Sequence, residues 1–239
     1  MSKHNKVLVI DDEAYPYVLR RSRRARHIAL HVDVHKGIEL VVPWHVAFAE
    51  AEKFLHQQRK WIISRTKKYQ QLRDAMPKRQ LITGETLPLH DHELQLLVHI
   101  EPERKRTHVL AEADQLQVHV SEQAQVRAAV ERWYKREAKL YFTTITTDLS
   151  ACVGQSVSKI SIGSHRSQWG SCNRAGRLSF TWRLMLAPEW IAHYVAAHEV
   201  AHLTYGNHSK QYWAVVRGLD SRTQEARAWL RRHGHTVVL

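Results

Sequence analysis

Two histidines and a glutamate in the stretch "HEVAH", residues 198–202, have the spacing of a hydrolytic zinc site. Residues four apart on a helix project from one face, so His198 and His202 can both reach one zinc ion at about 2.1 Å. Glu199 would then lie beside the open position of the metal, where its carboxylate can take a proton from a zinc-bound water and deliver it to a leaving amine. Because the chain contains 18 histidines, this pattern can arise by chance, and the surrounding sequence has to decide.

A zinc site of this kind needs a third protein ligand. His208 follows the second histidine by six residues and comes just after Gly206, whose positive φ could end the helix and turn the chain back. The metzincin pattern is not met, because Tyr205 stands where that pattern has glycine. An acidic ligand on a later helix is the alternative, for which Asp220 and Glu225 are available. We favour His208, because it requires no distant element.

The ligands must be held by an active-site helix, which we predict over residues 188–205, with Pro188 in its first turn. Apolar alternation upstream predicts strands around residues 160–162 and 178–184, separated by a turn. Downstream, helices are expected to begin near Ser209 and at Ser221, where the spacing is that of a capping box.

The N-terminal part of the chain is predicted to be rich in β-structure. Residues 27–42 alternate as a β-hairpin, and residues 46-72 repeat apolar side chains at helical spacing, which indicates one long helix. We therefore expect an α+β fold, in which residues 1-120 form a β-rich N-terminal region and residues 121-239 a zincin-like catalytic region with an HExxH active-site helix. No Pro/Gly/Ser-rich linker separates the two regions, so one continuous domain is the alternative. No internal repeat is visible in the sequence.

Three consecutive blocks, "RSQWGSCNRAGRLSFTWRLMLAP", "YVAAHEVAHL" and "NHSKQYW", resemble the signatures of the YgjP-like metallopeptidases, relatives of the SprT-type and WLM-type zincins. Upstream, "RSRRARHIALHV" followed by a glycine turn and a long helix is similar to the N-terminal half of that family. The resemblance covers about residues 17–233 and departs at Gln168, where the family commonly has arginine. It implies a zinc site of His198, His202 and His208, with Glu199 as the catalytic residue.

Other residues near these motifs are candidates for contacts with the substrate or with the oxyanion of the tetrahedral intermediate. They are chosen by proximity in the sequence alone: Arg166, His165, Trp169, Tyr205 and Tyr212. The Trp-Gly-Ser-Cys block, residues 169–172, has two interpretations, either an edge strand that holds an extended peptide or a turn packed into the core. Cys172 is more typical of a small buried residue than of a metal ligand.

The chain is strongly basic, with 36 Lys and Arg against 23 Asp and Glu and a net charge of +13. A polyanionic partner, such as a nucleic acid or a nucleotide, is compatible with this charge. The densest cluster is either a solvated strand edge or a contact for phosphates, and it consists of Arg20, Arg21, Arg23, Arg24 and Arg26. Two cysteines, no membrane-spanning segment and no signal peptide predict a cytoplasmic protein.

The sequence therefore predicts a cytoplasmic metallopeptidase that binds one Zn²⁺ per chain and cleaves peptide or protein substrates by Glu-assisted attack of a zinc-bound water. Two alternatives stay open. One is a metal-dependent hydrolase of nucleotides or other phosphorylated small molecules, which the positive charge favours. The other is a non-catalytic zinc-containing module that binds nucleic acid, but structural zinc sites normally use four protein ligands and need no adjacent glutamate.

Overall fold

The structure, a computed structural model, describes residues 3–33, 37–74 and 79–239. The fold is α+β, as the sequence predicts. Contacts divide the chain into two compact units, Met1–Met76 and Pro77–Leu239. Apolar residues on both sides of residue 120, the boundary predicted from the sequence, share one hydrophobic core within the second unit.

The described residues of the first unit form four strands and two helices. They are β1 (Lys3–Ile10), β2 (Glu13–Ser22), β3 (Ala29–Asp33), β4 (Gly37–Pro43), α1 (Phe48–Gln57) and α2 (Arg59–Asp74). The strand order is β1-β2-β4-β3, with a parallel central pair and antiparallel outer pairs. The antiparallel pair β3–β4 confirms the predicted hairpin, of which residues 34–36 lie outside the described residues.

The helix predicted over residues 46-72 is interrupted. The backbone leaves helical geometry at Gln58, where ψ is 6°, so that α1 and α2 are separate helices. No proline or glycine marks this position, and helical periodicity continues through it. Both helices contribute to the core of the first unit, through Leu55 of α1 and Ile62 of α2, which are almost completely buried.

The arginine cluster does not protect a sheet edge, because β2 lies between β1 and β4. Two of its members contact other residues of the first unit. Arg20 pairs with Glu39 at 2.9 Å, and Arg21 donates hydrogen bonds to the carbonyl oxygens of Trp44 and Val46. The other three arginines follow the end of β2. Phosphate contact by this cluster stays a prediction, and the edge-strand explanation is wrong.

The second unit begins with strands β5 (Thr86–Leu89), β6 (His92–Ile100), β7 (His108–Glu112) and β8 (Gln115–Val120), followed by helix α3 (Val126–Cys152). The strand order is β5-β6-β8-β7, again with a parallel central pair and antiparallel outer pairs. The same strand topology thus occurs in both units, although no sequence repeat predicts it. Topology of this kind depends on alternation and turn positions, which different residues can supply.

The rest of the second unit carries the predicted site. It comprises β9 (Lys159–Gly163), β10 (Gly170–Cys172), β11 (Arg177–Thr181), α4 (Glu189–Ala201), α5 (Lys210–Leu219) and α6 (Thr223–His233). The strand order β10-β11-β9 leaves β10 at an edge. Helix α5 begins after Ser209 as predicted, but α6 begins at Thr223, without the capping box expected at Ser221. No helix in the described part of the chain is long and apolar enough to cross a membrane.

Helix α4 lies in the centre of the second unit. Apolar residues occupy nearly all of its faces, and seven of them are essentially inaccessible to solvent: Ile191, Ala192, Val195, Ala196, Ala197, Val200 and Ala201. A helix that is apolar all round has to be enclosed by other elements. Its start is fixed by Asp91, whose Oδ2 accepts a hydrogen bond from the Glu189 amide at 3.2 Å. The side chains of α4 are therefore held by a rigid element.

Candidate metal centre

Three histidines converge at the C-terminal end of α4. His198 lies in its last turn, His202 caps it, and His208 lies just before α5. The potential ligand atoms of the three lie within 4.8 Å of one another, and the Nε2 atoms of His198 and His208 are 3.4 Å apart. Two imidazole nitrogens that bind one zinc ion tetrahedrally at about 2.1 Å would be about 3.4 Å apart. The donor set thus fits a single metal ion.

The chain reverses after α4 without a left-handed residue. The amides of His202, Leu203 and Thr204 donate to carbonyl oxygens three residues earlier, which tightens the end of the helix. The positive φ expected at Gly206 is not observed. Instead, the short turn places the carbonyl oxygen of Tyr205 3.0 Å from Nδ1 of His202. Because a carbonyl oxygen only accepts, Nδ1 carries the proton, and Nε2 keeps its electron pair for a metal.

Helix α5 holds His208 against α4. Its first turn is capped by Ser209, whose Oγ accepts from the Tyr212 amide at 3.2 Å. Tyr212 is completely buried, and its hydroxyl donates to the carbonyl oxygen of His198 at 3.0 Å. Its ring lies 4.6 Å from that of His202 and 4.8 Å from that of His208, measured between centroids. Tyr212, a predicted substrate contact, thus holds the histidines in place, with its hydroxyl bonded to the backbone.

Glu199 is buried beside the histidines, with 5% of its surface exposed. Burial raises the pKa of its carboxyl group to about 7. The side chain lies against Gly170 of β10, where an added Cβ would be 2.7 Å from Cγ and 2.8 Å from Oε1 of Glu199. Only a residue without a side chain lets β10 approach this closely. This contact gives the Trp-Gly-Ser-Cys block a role that the sequence left open.

An open cleft with a volume of about 680 Å³ adjoins Glu199 and the three histidines. Residues 170–174, which include β10, and residues 206–207 form the rest of its lining. Cys172 is half-buried here, and burial raises the pKa of its thiol to about 11, so the thiol stays protonated. Arg174 is exposed at the cleft. Arg174 and Asn207 were not predicted from the sequence as site residues, although both are adjacent to the motifs.

The remaining predicted contacts lie elsewhere. Arg166 and His165 are exposed between β9 and β10, and the ring of His165 lies against Gly163. Trp169 is partly buried and packs beside Gly234. None of these side chains lines the cleft, nor does Tyr205, which contributes its carbonyl oxygen.

The two acidic alternatives to His208 are bound to other residues. Oδ2 of Asp220 accepts a hydrogen bond from Nδ1 of His193 at 2.8 Å, and Glu225 pairs with Arg222 at 3.2 Å. Neither carboxylate belongs to the histidine cluster. The pair of Asp220 and His193 instead connects the end of α5 to α4.

In the second unit, two histidines and a glutamate of a buried helix thus lie beside a third histidine at a cleft. This set of side chains is typical of metal-dependent hydrolases. A comparison with protein-family models matches residues 26–233 to the YgjP-like metallopeptidase domain. The chain belongs to the YgjP-like family. No curated protein and no solved structure matches the chain. Family membership agrees with the resemblance seen in the sequence and supports a metal-dependent peptidase.

Proposed function

We propose that the protein is a zinc-dependent metallopeptidase whose active site consists of His198, His202, His208 and Glu199. The observation that carries the proposal is the convergence of three imidazoles beside a buried glutamate, at an open cleft. Membership of a metallopeptidase family supports peptides as the substrate class. A structural zinc site would need a fourth protein ligand and would leave the buried glutamate unexplained.

The three histidines would hold the metal, and three neutral imidazoles with an open position are a ligand set typical of catalytic zinc. Zinc bound there would supply Lewis acidity, lowering the pKa of a water molecule and polarising the carbonyl of the substrate. Glu199 takes the proton of the attacking water and then delivers it to the leaving nitrogen. The hydrogen bond between His202 and the Tyr205 carbonyl keeps the His202 ring in its binding orientation.

The free edge of β10 is the proposed location of the peptide. Among the strands that the structure describes, β10 pairs with β11 alone, and its residues line the cleft. An extended peptide can pair with such an edge through main-chain hydrogen bonds. Because Gly170 of β10 lies against Glu199, a peptide on this edge passes close to the proposed base.

A substrate screen tests this function. Zinc-loaded protein is incubated with a peptide library and, in parallel, with a panel of nucleotides and other phosphorylated small molecules. We expect cleavage of peptides, detected by mass spectrometry as new amino and carboxyl termini, and no cleavage by the Glu199→Gln variant. Turnover confined to the phosphorylated compounds would reject the peptidase proposal and favour the alternative hydrolase.

Loss of the third ligand should remove the metal. Loss of a residue that only hydrogen-bonds to a metal ligand lowers metal affinity roughly 10–100-fold. Loss of a ligand itself should cost more, so we expect His208→Ala to weaken zinc binding by more than about a hundredfold. Glu225→Ala is the matched control, because Glu225 pairs with Arg222 on α6 and should leave the metal content unchanged. Zinc per chain, measured by atomic spectroscopy after dialysis, decides between them. Loss of zinc from the Glu225 variant, together with retention of zinc by the His208 variant, would indicate that Glu225 is the third ligand.

A further inference from the structure

A second concave surface lies next to the histidine cluster, between α5 and α6. This basic pocket has a volume of about 350 Å³ and is lined by Lys210, Trp213, Arg217, Thr223, Gln224 and Arg227. The first three residues are spaced i, i+3 and i+7 on α5, which places them on one face of that helix. Arg227 extends from α6 over the ring of Trp213, with its guanidinium carbon 4.6 Å from the ring centroid.

The pocket has an uncompensated positive charge. Lys210, Arg217 and Arg227 are exposed, and no carboxylate of the described residues contributes to the lining. Within the described residues, no ion pair joins any of the three cations to an acidic side chain. Glu225, which lies on α6 with Arg227, pairs with Arg222 instead. Three like charges around one cavity repel one another, and an anion between them would remove this repulsion.

Trp213 connects the pocket to the proposed active site. Its ring lines the pocket and lies 5.8 Å from the ring of His198 and 5.7 Å from that of His208. The basic pocket therefore begins one side chain away from the metal ligands. We therefore expect that a molecule in the cleft can place a neighbouring group in the pocket.

We propose that the basic pocket binds a carboxylate of the substrate, so that the enzyme prefers peptides with an acidic residue or a free C-terminus near the cleaved bond. This inference rests on the proposed peptidase function and adds the substrate class to it. The planar guanidinium groups of Arg217 and Arg227 can bind a carboxylate through paired hydrogen bonds. A volume of about 350 Å³ is sufficient for an amino-acid side chain.

Binding and turnover are measured with three matched peptides. One contains Glu and has an amidated C-terminus, the second has Gln in place of Glu, and the third is the Gln peptide with a free C-terminal carboxylate. Affinity is measured by fluorescence anisotropy with zinc-loaded Glu199→Gln protein, so that the measurement does not depend on turnover. The variants are Arg227→Gln and Arg227→Lys, and the control is Arg232→Gln, an exposed cation of α6 outside the pocket.

We expect the Glu peptide or the free-acid peptide to bind at least about tenfold more tightly than the neutral peptide, as for a charge-assisted hydrogen bond. The preference should disappear in Arg227→Gln, survive in part in Arg227→Lys, remain intact in Arg232→Gln and weaken with added salt. Which charged peptide gains affinity identifies the source of the carboxylate.

Equal affinity for all three peptides, or a preference that Arg227→Gln leaves unchanged, would refute the proposed pocket. The two proposals fail separately. Cleavage without any charge preference would keep the peptidase function and reject the pocket. Charge-selective binding that depends on Arg227, without cleavage of any peptide, would keep the pocket and reject the function.

Discussion

Replacing Glu199 by Gln is expected to lower kcat for peptide hydrolysis by about 10²–10⁴-fold while the zinc content per chain stays unchanged. The amide has nearly the shape of the carboxylate but cannot accept the proton of the attacking water. It should also leave the metal in place, because the proposed metal-binding cluster consists of the three histidines. The measurements are steady-state kinetics on a peptide from the screen and zinc per chain.

Glu225→Gln is the control for this substitution, since Glu225 is an exposed glutamate on α6 that pairs with Arg222. It should show the kinetics of the unmodified protein. Full activity of Glu199→Gln would eliminate Glu199 as the proton acceptor. Loss of zinc together with activity would instead indicate that Glu199 supports the metal site.

The substitution Gly170→Ala is expected to lower kcat by about a hundredfold with the metal still bound, because displacing a catalytic group by about 1 Å can cost that much. The new methyl group would lie 2.7–3.0 Å from three atoms of Glu199, whose side chain has to move away. The three atoms nearest to the added methyl group all belong to Glu199 and none to a histidine, so zinc binding should be preserved. Kinetics, zinc content and the thermal unfolding midpoint are measured together.

Gly218→Ala is the matched control, because an added Cβ there has no atom within 4 Å and alanine favours the surrounding helix α5. It should keep full activity and equal or slightly greater stability. Unchanged kinetics in Gly170→Ala would contradict a positioning role for the β10 contact. A large drop in its unfolding midpoint would mean that the methyl group disrupts the fold rather than the carboxylate alone.

The local geometry that the sequence predicted correctly around the proposed site depends on local rules. The pairing of His198 with His202 follows from helical spacing, and the start of α5 follows from Ser209 as a capping residue. The proximity of His208 follows from its short separation from α4. Each of these inferences needs only neighbouring residues, which a single sequence contains.

The features that the sequence did not predict are set by residues distant along the chain. Whether β2 is an edge strand depends on its pairing with β4, which no local pattern encodes. The need for glycine at position 170 becomes visible only when β10 lies against Glu199, 29 positions later in the sequence. No proline or glycine in the sequence marks the interruption at Gln58. The turn before Gly206 is formed by amides of residues 202–204 that donate to carbonyl oxygens three residues earlier, where a left-handed glycine was expected.

The hydrogen bond that orients His202 is accepted by a main-chain atom, the carbonyl oxygen of Tyr205. Every amino acid carries this oxygen, so the contact does not constrain which side chain occupies position 205. The orientation of His202 therefore depends on the path of the turn, and this hydrogen bond by itself sets no requirement on the side chain at position 205. A tyrosine where metzincins have glycine is compatible with an intact site for this reason. An insertion or deletion between residues 202 and 208 would displace this carbonyl oxygen, whereas a substitution at position 205 would retain it.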